Sequence, residues 1–388
     1  MQEFHSTRDF IIVHATMSAM FEAKIKKLKD QLKKEKLDAV FISSVSNISY
    51  LTGYTNFSKD EREAYILVGN NFQYIITDGR YSEAIKKEVS HLKLYERGFE
   101  NSTEDLLKSL KGKIKTLGIE EDNLTVAEHK AIKKHFKNLK HFEVSNLRSI
   151  KEKWEIQKIK KACELGDKTF KFILGKIKVG VTEKQVAQEL EKFIEENGAE
   201  FSFPPIVAFG KNSSIPHHQT SNKRLTINDK LILLDFGVRW ENYCSDMTRT
   251  IFFGKPDSKQ KKIYEAVLKT QQEAVKFIEF SIKAGKQLKA SDVDKVARDY
   301  IISKGYPSIP HSLGHGVGLE VHEHPHLSPK SKEVLKEGMV FSIEPGIYLP
   351  AGRYGIPDFG GVRIEDLFIL QKDGLKQITN SPKNLIIV

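Results

Sequence analysis

Cysteine is nearly absent: Cys163 and Cys244 are the only two in 388 residues. They offer no metal-finger spacing and no disulfide framework. No apolar run approaches the ~20 residues that a membrane helix needs. The first twenty residues lack a signal-peptide layout, because their one apolar cluster, Phe10 to Val13, directly follows Asp9. The expectation is a cytoplasmic protein with no membrane partner. Arginine blocks interleaved with aromatics are missing too, and so is low-complexity sequence. The net charge of +11, from 62 basic and 51 acidic residues, is therefore read as solvated helix faces in which lysines mix with acids, as over 23–36 and 150–178. It is not read as a nucleic-acid footprint.

What is present suffices for two cores. Apolar residues make up 39% and charged residues 29%, as in a globular protein, and the length exceeds one ordinary domain. Residues 1–19 are expected as an irregular tail, with Met17 and Met20 as alternative starts. Residues 20–146 read as an alternating α/β unit. It opens with a lysine-rich amphipathic helix at 21–37 and a buried strand at 38–42. A hairpin over 64–77 turns at Gly69-Asn70-Asn71, and a last strand lies at 142–144. No cluster of metal ligands or nucleophiles appears in this unit. The boundary falls at 145–149, and 150–388 forms the second domain. There a long helix at 151–177 precedes one capped by Thr182, with Gln185 three residues on. A second helix pair, 259–280 and 291–304, the latter capped by Ser291, hints at an internal duplication. Strands are expected at 340–343, 346–348, 362–370 and 376–379.

The stretch Leu231 to Phe253 organises the second domain. Four apolar residues run into Asp235, a polar break follows at 239–242, and a second strand carries Asp246. With a two-residue turn at 240–241 or 241–242, Asp235 lies directly or diagonally across from Asp246, and both carboxylates share a face. Two acids on one buried face repel each other, so a cation is expected between them. Three further segments carry similar anomalies. Five of the thirteen histidines, His311, His315, His322, His324 and His326, fall within sixteen residues. Glu344 ends an apolar strand and meets Pro345-Gly346. Glu365 interrupts an apolar strand, and alternation puts it on one face with Arg363 and Leu367. Taken singly, these are a loop-end glutamate, a polar loop and a structural ion pair. Together, two Asp, two Glu and one His form an oxygen-rich set suited to two divalent ions rather than to a thiolate site. Four carboxylates against two such ions leave the site near neutral.

These residues sit in motifs that resemble the pita-bread metallopeptidases, which include methionine aminopeptidases, prolidases and Xaa-Pro aminopeptidases. The motifs are Asp235-Phe236-Gly237, Ser245-Asp246-Met247-Thr248-Arg249-Thr250, Gly314-His315-Gly316-Val317-Gly318, Ile343-Glu344-Pro345-Gly346 and Gly361-Val362-Arg363-Ile364-Glu365-Asp366. The glycines around His315 are not a nucleotide loop, since no strand–loop–helix unit surrounds them. The Val-Arg-Ile-Glu-Asp ending and the long amino-terminal unit resemble the proline-specific branch. The resemblance implies an α/β (α+β) chain, with a creatinase-like amino-terminal α/β domain and a pita-bread catalytic domain. It implies that Asp235 holds one metal, Asp246 and Glu365 bridge two, and His315 and Glu344 complete the second. Mn2+ is the first choice, with Co2+, Zn2+ or Fe2+ as alternatives.

The same resemblance makes Glu344 a proton shuttle and places His217 and His322 beside the substrate carbonyl. It puts His311 at the rim, Thr248 against a ligand, and Arg363 either behind a ligand or on a substrate carboxylate. His218, His324 and His326 remain polar-loop residues. The implied partners are proline-containing peptides and a second copy in a homodimer. The implied activity is an Xaa-Pro aminopeptidase, with an Xaa-Pro dipeptidase (prolidase) as the alternative. Pro350 to Gly360 is expected to shape that choice. A methionine aminopeptidase, a creatinase-like hydrolase and a non-catalytic binding module are the remaining readings. All five ligand positions are filled, which argues against the last two.

Overall fold

The computed structural model describes the backbone of residues 7–350 and 359–388, with side chains from Ser18 onward. The chain divides into two compact units, Met1–Arg148 and Ser149–Val388. Most of the segment at 350–360 that was expected to shape substrate choice lies outside the described residues.

The first unit begins with helix α1 (Thr7–Glu35), so residues 7–19, expected as an irregular tail, continue the helix expected from 21. Six strands follow: β1 (Ala39–Ile42), β2 (Ala64–Gly69), β3 (Gln73–Asp78), β4 (Lys93–Arg97), β5 (Thr116–Ile119) and β6 (Asn138–His141). They form one mixed sheet in the order β4-β3-β2-β1-β5-β6. The last strand lies just before the expected 142–144. Helices α2 (Val45–Thr52), α3 (Ser82–Glu88), α4 (Thr103–Ser109) and α5 (Val126–His135) lie between strands, and α6 (Ser145–Arg148) follows the last of them. Reciprocal capping boxes start α4 at Ser102 and α5 at Thr125.

The second unit contains two helix pairs, each with its own core. Helices α7 (Lys153–Leu174) and α8 (Glu183–Glu196) bury Phe170, Leu190 and Ile194 with residues of β8 (Ile206–Phe209), β9 (Leu231–Phe236) and β12 (Met247–Phe252). The expected Thr182–Gln185 box caps α8. Helices α9 (Ser258–Lys283) and α10 (Ala290–Ser303) form a second core with β15 (Val340–Ile343), β16 (Gly346–Leu349), β17 (Gly360–Arg363) and β18 (Asp366–Gln371). Helix α10 starts one residue before the expected cap, with Lys289 at the cap position. The smaller strands are β7 (Glu200–Phe201), β10 (Val238–Trp240), β11 (Tyr243–Cys244), β13 (Gly314–Gly316), β14 (Glu323–Leu327) and β19 (Gly374–Gln377).

One expected strand is two. The run 362–370 breaks after Arg363: β17 pairs with β16, whereas β18 joins the five-stranded sheet β14-β13-β15-β18-β19. At the break, the Ile364 amide donates to Pro345 O and the Glu365 amide to Thr248 O, so neither follows a ladder. Leu367 leaves the expected face and joins a core with Ile159, Val340 and Ile369.

Candidate metal centre

The hairpin that carries the first two acids turns at Glu241-Asn242, both at positive φ (43° and 72°). That is the primed-turn geometry that matches strand twist. Register is constant along it, from Trp240↔Tyr243 to Asp235↔Thr248 and on to Leu231↔Phe252. Asp235 is therefore diagonal to Asp246, on the same face, and directly opposite Thr248. Glycine is required at 237 by close approach, since a Cβ there would lie 1.9 Å from Ser245 O.

The other acids converge from strand ends. His315 lies in β13, its amide held by Ser342 Oγ at 3.0 Å. Glu344 follows β15, its amide donating to Leu313 O. His315 Nε2 lies 3.1 Å from Glu344 Oε1 and 3.6 Å from Asp246 Oδ2. Ligand atoms of Asp235, Asp246 and Glu365 fall within 4.8 Å of one another, as do those of His315, Glu344 and Glu365. The two triads share Glu365. A third group joins Asp246, His315 and His322.

Electrostatics shows what the cluster is suited to hold. Burial, then repulsion from Glu365, Asp235 and Glu344, pushes the Asp246 carboxyl well above its ordinary range. Burial and the charges of Glu344 and Asp235 do the same to Glu365. Asp235 is also raised, chiefly by burial, against the pull of Arg363. Burial acts to lower the His315 pKa, but its bond to Glu344 and the surrounding carboxylates push it up to about 9. Burial would raise Glu344, yet His315 holds it at about 2. Asp246 Oδ1 and Glu365 Oε1 are buried with no hydrogen-bond partner. Buried carboxylate oxygens without donors are costly. Here they belong to the two acids expected to bridge, and an oxygen-rich set with one imidazole fits divalent cations.

A second layer fixes these acids. Arg363 is buried, and Nη2 donates to Asp235 Oδ2 at 2.5 Å, Nε to Thr248 Oγ1 at 2.9 Å, and Nη1 to Tyr348 OH at 2.9 Å and Pro216 O at 3.2 Å. Thr248 Oγ1 in turn donates to Glu365 Oε2 at 2.8 Å. All three nitrogens of Arg363 are engaged by the protein. His311, expected at the rim, is among the residues that line the cavity at this site. Its Nδ1 bonds Ser312 O at 2.8 Å and its Nε2 bonds Tyr348 OH at 2.9 Å, and burial lowers its pKa. Nε2 thus helps to hold Tyr348, which in turn accepts from Arg363, while Nδ1 is taken up by its own loop.

Several residues of this layer escaped sequence reasoning. Ser342 donates to Glu344 Oε1 at 3.1 Å. Strand alternation two residues before Glu344 was a usable signal for it. Arg249, almost fully buried, bonds Thr248 O, Glu365 O and Asp366, clamping the backbone on both sides of Glu365. A charge inside the apolar strand 247–252 was the overlooked cue. No periodicity marks Tyr348.

The cluster lines a cavity of about 490 Å³, the scale of a small-ligand site rather than of an extended groove. Phe203, Ile206 and Val321 supply apolar wall. His217 and His322 face into it. The His322 ring stands edge-on to His315 at 4.3 Å, and burial together with the neighbouring His315 charge lowers its pKa to about 4. His218 and His326, taken from sequence as loop residues, also line the cavity, whereas His324 bonds Glu333 at 3.0 Å.

Residues 24–150 match the creatinase/prolidase N-terminal domain, and residues 157–372 match metallopeptidase family M24. An Xaa-Pro dipeptidase of Pyrococcus horikoshii is 38% identical over 371 residues, covering 94% of this chain and 98% of its own. Among solved structures, an Xaa-Pro dipeptidase from Bacillus anthracis superposes with a TM-score of 0.84 at 36% identity, over 95% of this chain and 100% of that one. An X-Pro aminopeptidase from Thermotoga maritima gives 0.77 at 32%, over 94% and 99%. The chain thus belongs to metallopeptidase family M24, with a creatinase/prolidase N-terminal domain ahead of the peptidase domain.

Proposed function

We propose that this metal-dependent hydrolase is a two-metal Xaa-Pro exopeptidase that removes the first residue from peptides with proline in second place. The observation that carries the reading is the pair of triads sharing Glu365, in which Asp246 and Glu365 each keep an unpartnered buried oxygen. Asp235, Asp246 and Glu365 would hold one ion, and His315, Glu344, Asp246 and Glu365 the other. Mn2+ is the first choice, with Co2+, Zn2+ and Fe2+ behind it. Divalent ions at such a site supply Lewis acidity for the peptide carbonyl and activate a water.

The chain's own residues do the rest. Glu344, ionised at neutral pH, accepts the proton of the attacking water and returns it to the departing proline nitrogen. That nitrogen has no hydrogen in the peptide, so it must gain one to leave as an amine, and strand-like pairing cannot recognise it. His322 stays neutral at working pH, and with His217 it steadies the carbonyl oxygen as charge develops. Thr248 orients Glu365, and Arg363 holds Asp235.

Substrate length has two readings. Longer peptides would suit an aminopeptidase, the name the Thermotoga relative carries, whereas the two more similar relatives described above are named dipeptidases and the cavity is small. Protein stripped and reloaded with Mn2+ or Co2+ is expected to cleave Xaa-Pro bonds. The ratio of kcat/KM on Xaa-Pro to that on Xaa-Pro-Xaa separates the two readings. No bound divalent ion, and no Xaa-Pro cleavage with any metal, would end the proposal. Cytoplasmic location and a homodimer belong to the same reading. No helix among the described residues is long and apolar enough to cross a membrane, and both cysteines are free. Light scattering tests the dimer.

Metal binding should be proton-linked. Asp246, Glu365, Asp235 and His315 all have raised pKa values, so protons compete with the cation for them. Lower pH protonates them further, and affinity should therefore rise with pH, with protons released on binding. Calorimetry at pH 6, 7 and 8, in buffers of different ionisation enthalpy, reads both. A pH-independent affinity with no proton release would contradict the ligand assignment.

A further inference from the structure

A side-chain cluster on the cavity wall has no part in the chemistry above. Glu183, at the start of α8, is fully buried and accepts from the Phe209 amide at 2.8 Å, Asn212 Nδ2 at 2.8 Å, and the Ser221 amide and hydroxyl at 3.0 and 2.6 Å. Its remaining contact is His218 Nε2 at 2.9 Å. Burial would raise this carboxyl, but the donors, led by Ser221 and His218, hold it below its ordinary value. Glu183 is thus a fixed anion tying down the loop over 209–221. One ring edge of His218 faces that anion. The other nitrogen, Nδ1, has no hydrogen-bond partner among the described residues, on a side chain that lines the cavity.

The expected peptide brings a problem of charge. A dipeptide ending in proline carries a carboxylate on the far side of the scissile bond, and a small cavity must pair it. Arg363, the obvious cation, has every nitrogen bonded to Asp235, Thr248, Tyr348 or Pro216 O. His311 has both nitrogens engaged. His218 is differently placed, with a buried carboxylate on one edge and the cavity on the other.

We infer that His218, held by Glu183, receives the C-terminal carboxylate of the dipeptide substrate. Bound this way, the His218 ring stands between two carboxylates, Nε2 against Glu183 and Nδ1 against the substrate. Glu183 is the positioning residue and His218 the substrate-binding one. The assignment rests on the Xaa-Pro reading and adds to it a reason for favouring substrates whose carboxylate follows proline directly.

The test compares an Xaa-Pro dipeptide with the same dipeptide as its C-terminal amide, in Mn2+-loaded wild type, His218→Asn and Glu183→Gln. In His218→Asn, KM for the dipeptide should rise about tenfold or more, the loss of one charge-assisted hydrogen bond. Its kcat and its KM for the amide should stay near wild type. Glu183→Gln should move in the same direction, and melting curves with metal content show whether each variant is folded and loaded. Equal losses on dipeptide and amide, or no loss on either, would overturn the assignment. A wild type that cleaves neither substrate would instead indict the Xaa-Pro reading, and this assignment would fall with it.

Discussion

Asp246→Asn should lower kcat on an Xaa-Pro peptide by at least about a thousandfold, a loss of roughly 4 kcal/mol or more of transition-state stabilisation. Asparagine keeps the shape of the side chain but has one neutral oxygen and an NH2 group in place of two anionic oxygens. In the wild type, Asp246 has one buried oxygen without a donor and another 3.6 Å from His315 Nε2. Elemental analysis should show bound metal falling from two ions per chain to one or fewer. The same substitution should raise the melting temperature of chelator-treated protein. The reasoning follows the sign of the shift: a carboxyl whose folded pKa lies above its unfolded value opposes folding once pH exceeds the unfolded value, and Asp246 is raised by burial and by Glu365, Asp235 and Glu344. Removing its charge removes that opposition. Near-normal turnover would put the metal centre elsewhere. A lower melting temperature under chelation would mean that the carboxylate stabilises the fold, against the repulsion described above.

Arg363→Met should cost about 3–5 kcal/mol of stability, as breaking a buried pair from one side does. In a unit of this size that is roughly a 6–20 °C fall in melting temperature. The guanidinium reaches four partners from three nitrogens, so its loss frees Asp235, Thr248 and Tyr348 together. Arg363→Lys should not rescue activity, because one ammonium cannot meet partners spread over that planar fork. Saturating Mn2+ should recover part of the lost stability, since a bound cation neutralises the Asp235 charge left behind. Activity should stay low even then, because Thr248 no longer has a donor holding it toward Glu365. Thermal melts with chelator and with Mn2+, beside kinetics for both variants, check each step. A lysine variant with wild-type kinetics would reduce Arg363 to a simple counter-charge.

The sequence by itself determined the hairpin and most of what it carries. A two-residue turn after an alternating strand sets the register, so Asp235 and Asp246 had to share a face once the turn was placed at Glu241-Asn242. Strand-end acids followed by glycine or proline, and the Thr182–Gln185 cap, were readable because they are local. Tertiary structure decided the rest. The split after Arg363, the commitment of Arg363 and His311 to protein partners, the Arg249 clamp and the Glu183–His218 pair join residues tens to more than a hundred positions apart. Periodicity tells which face of a strand is buried, not which donor waits there. That choice is made only when sheets and loops close around a charge that can no longer reach water.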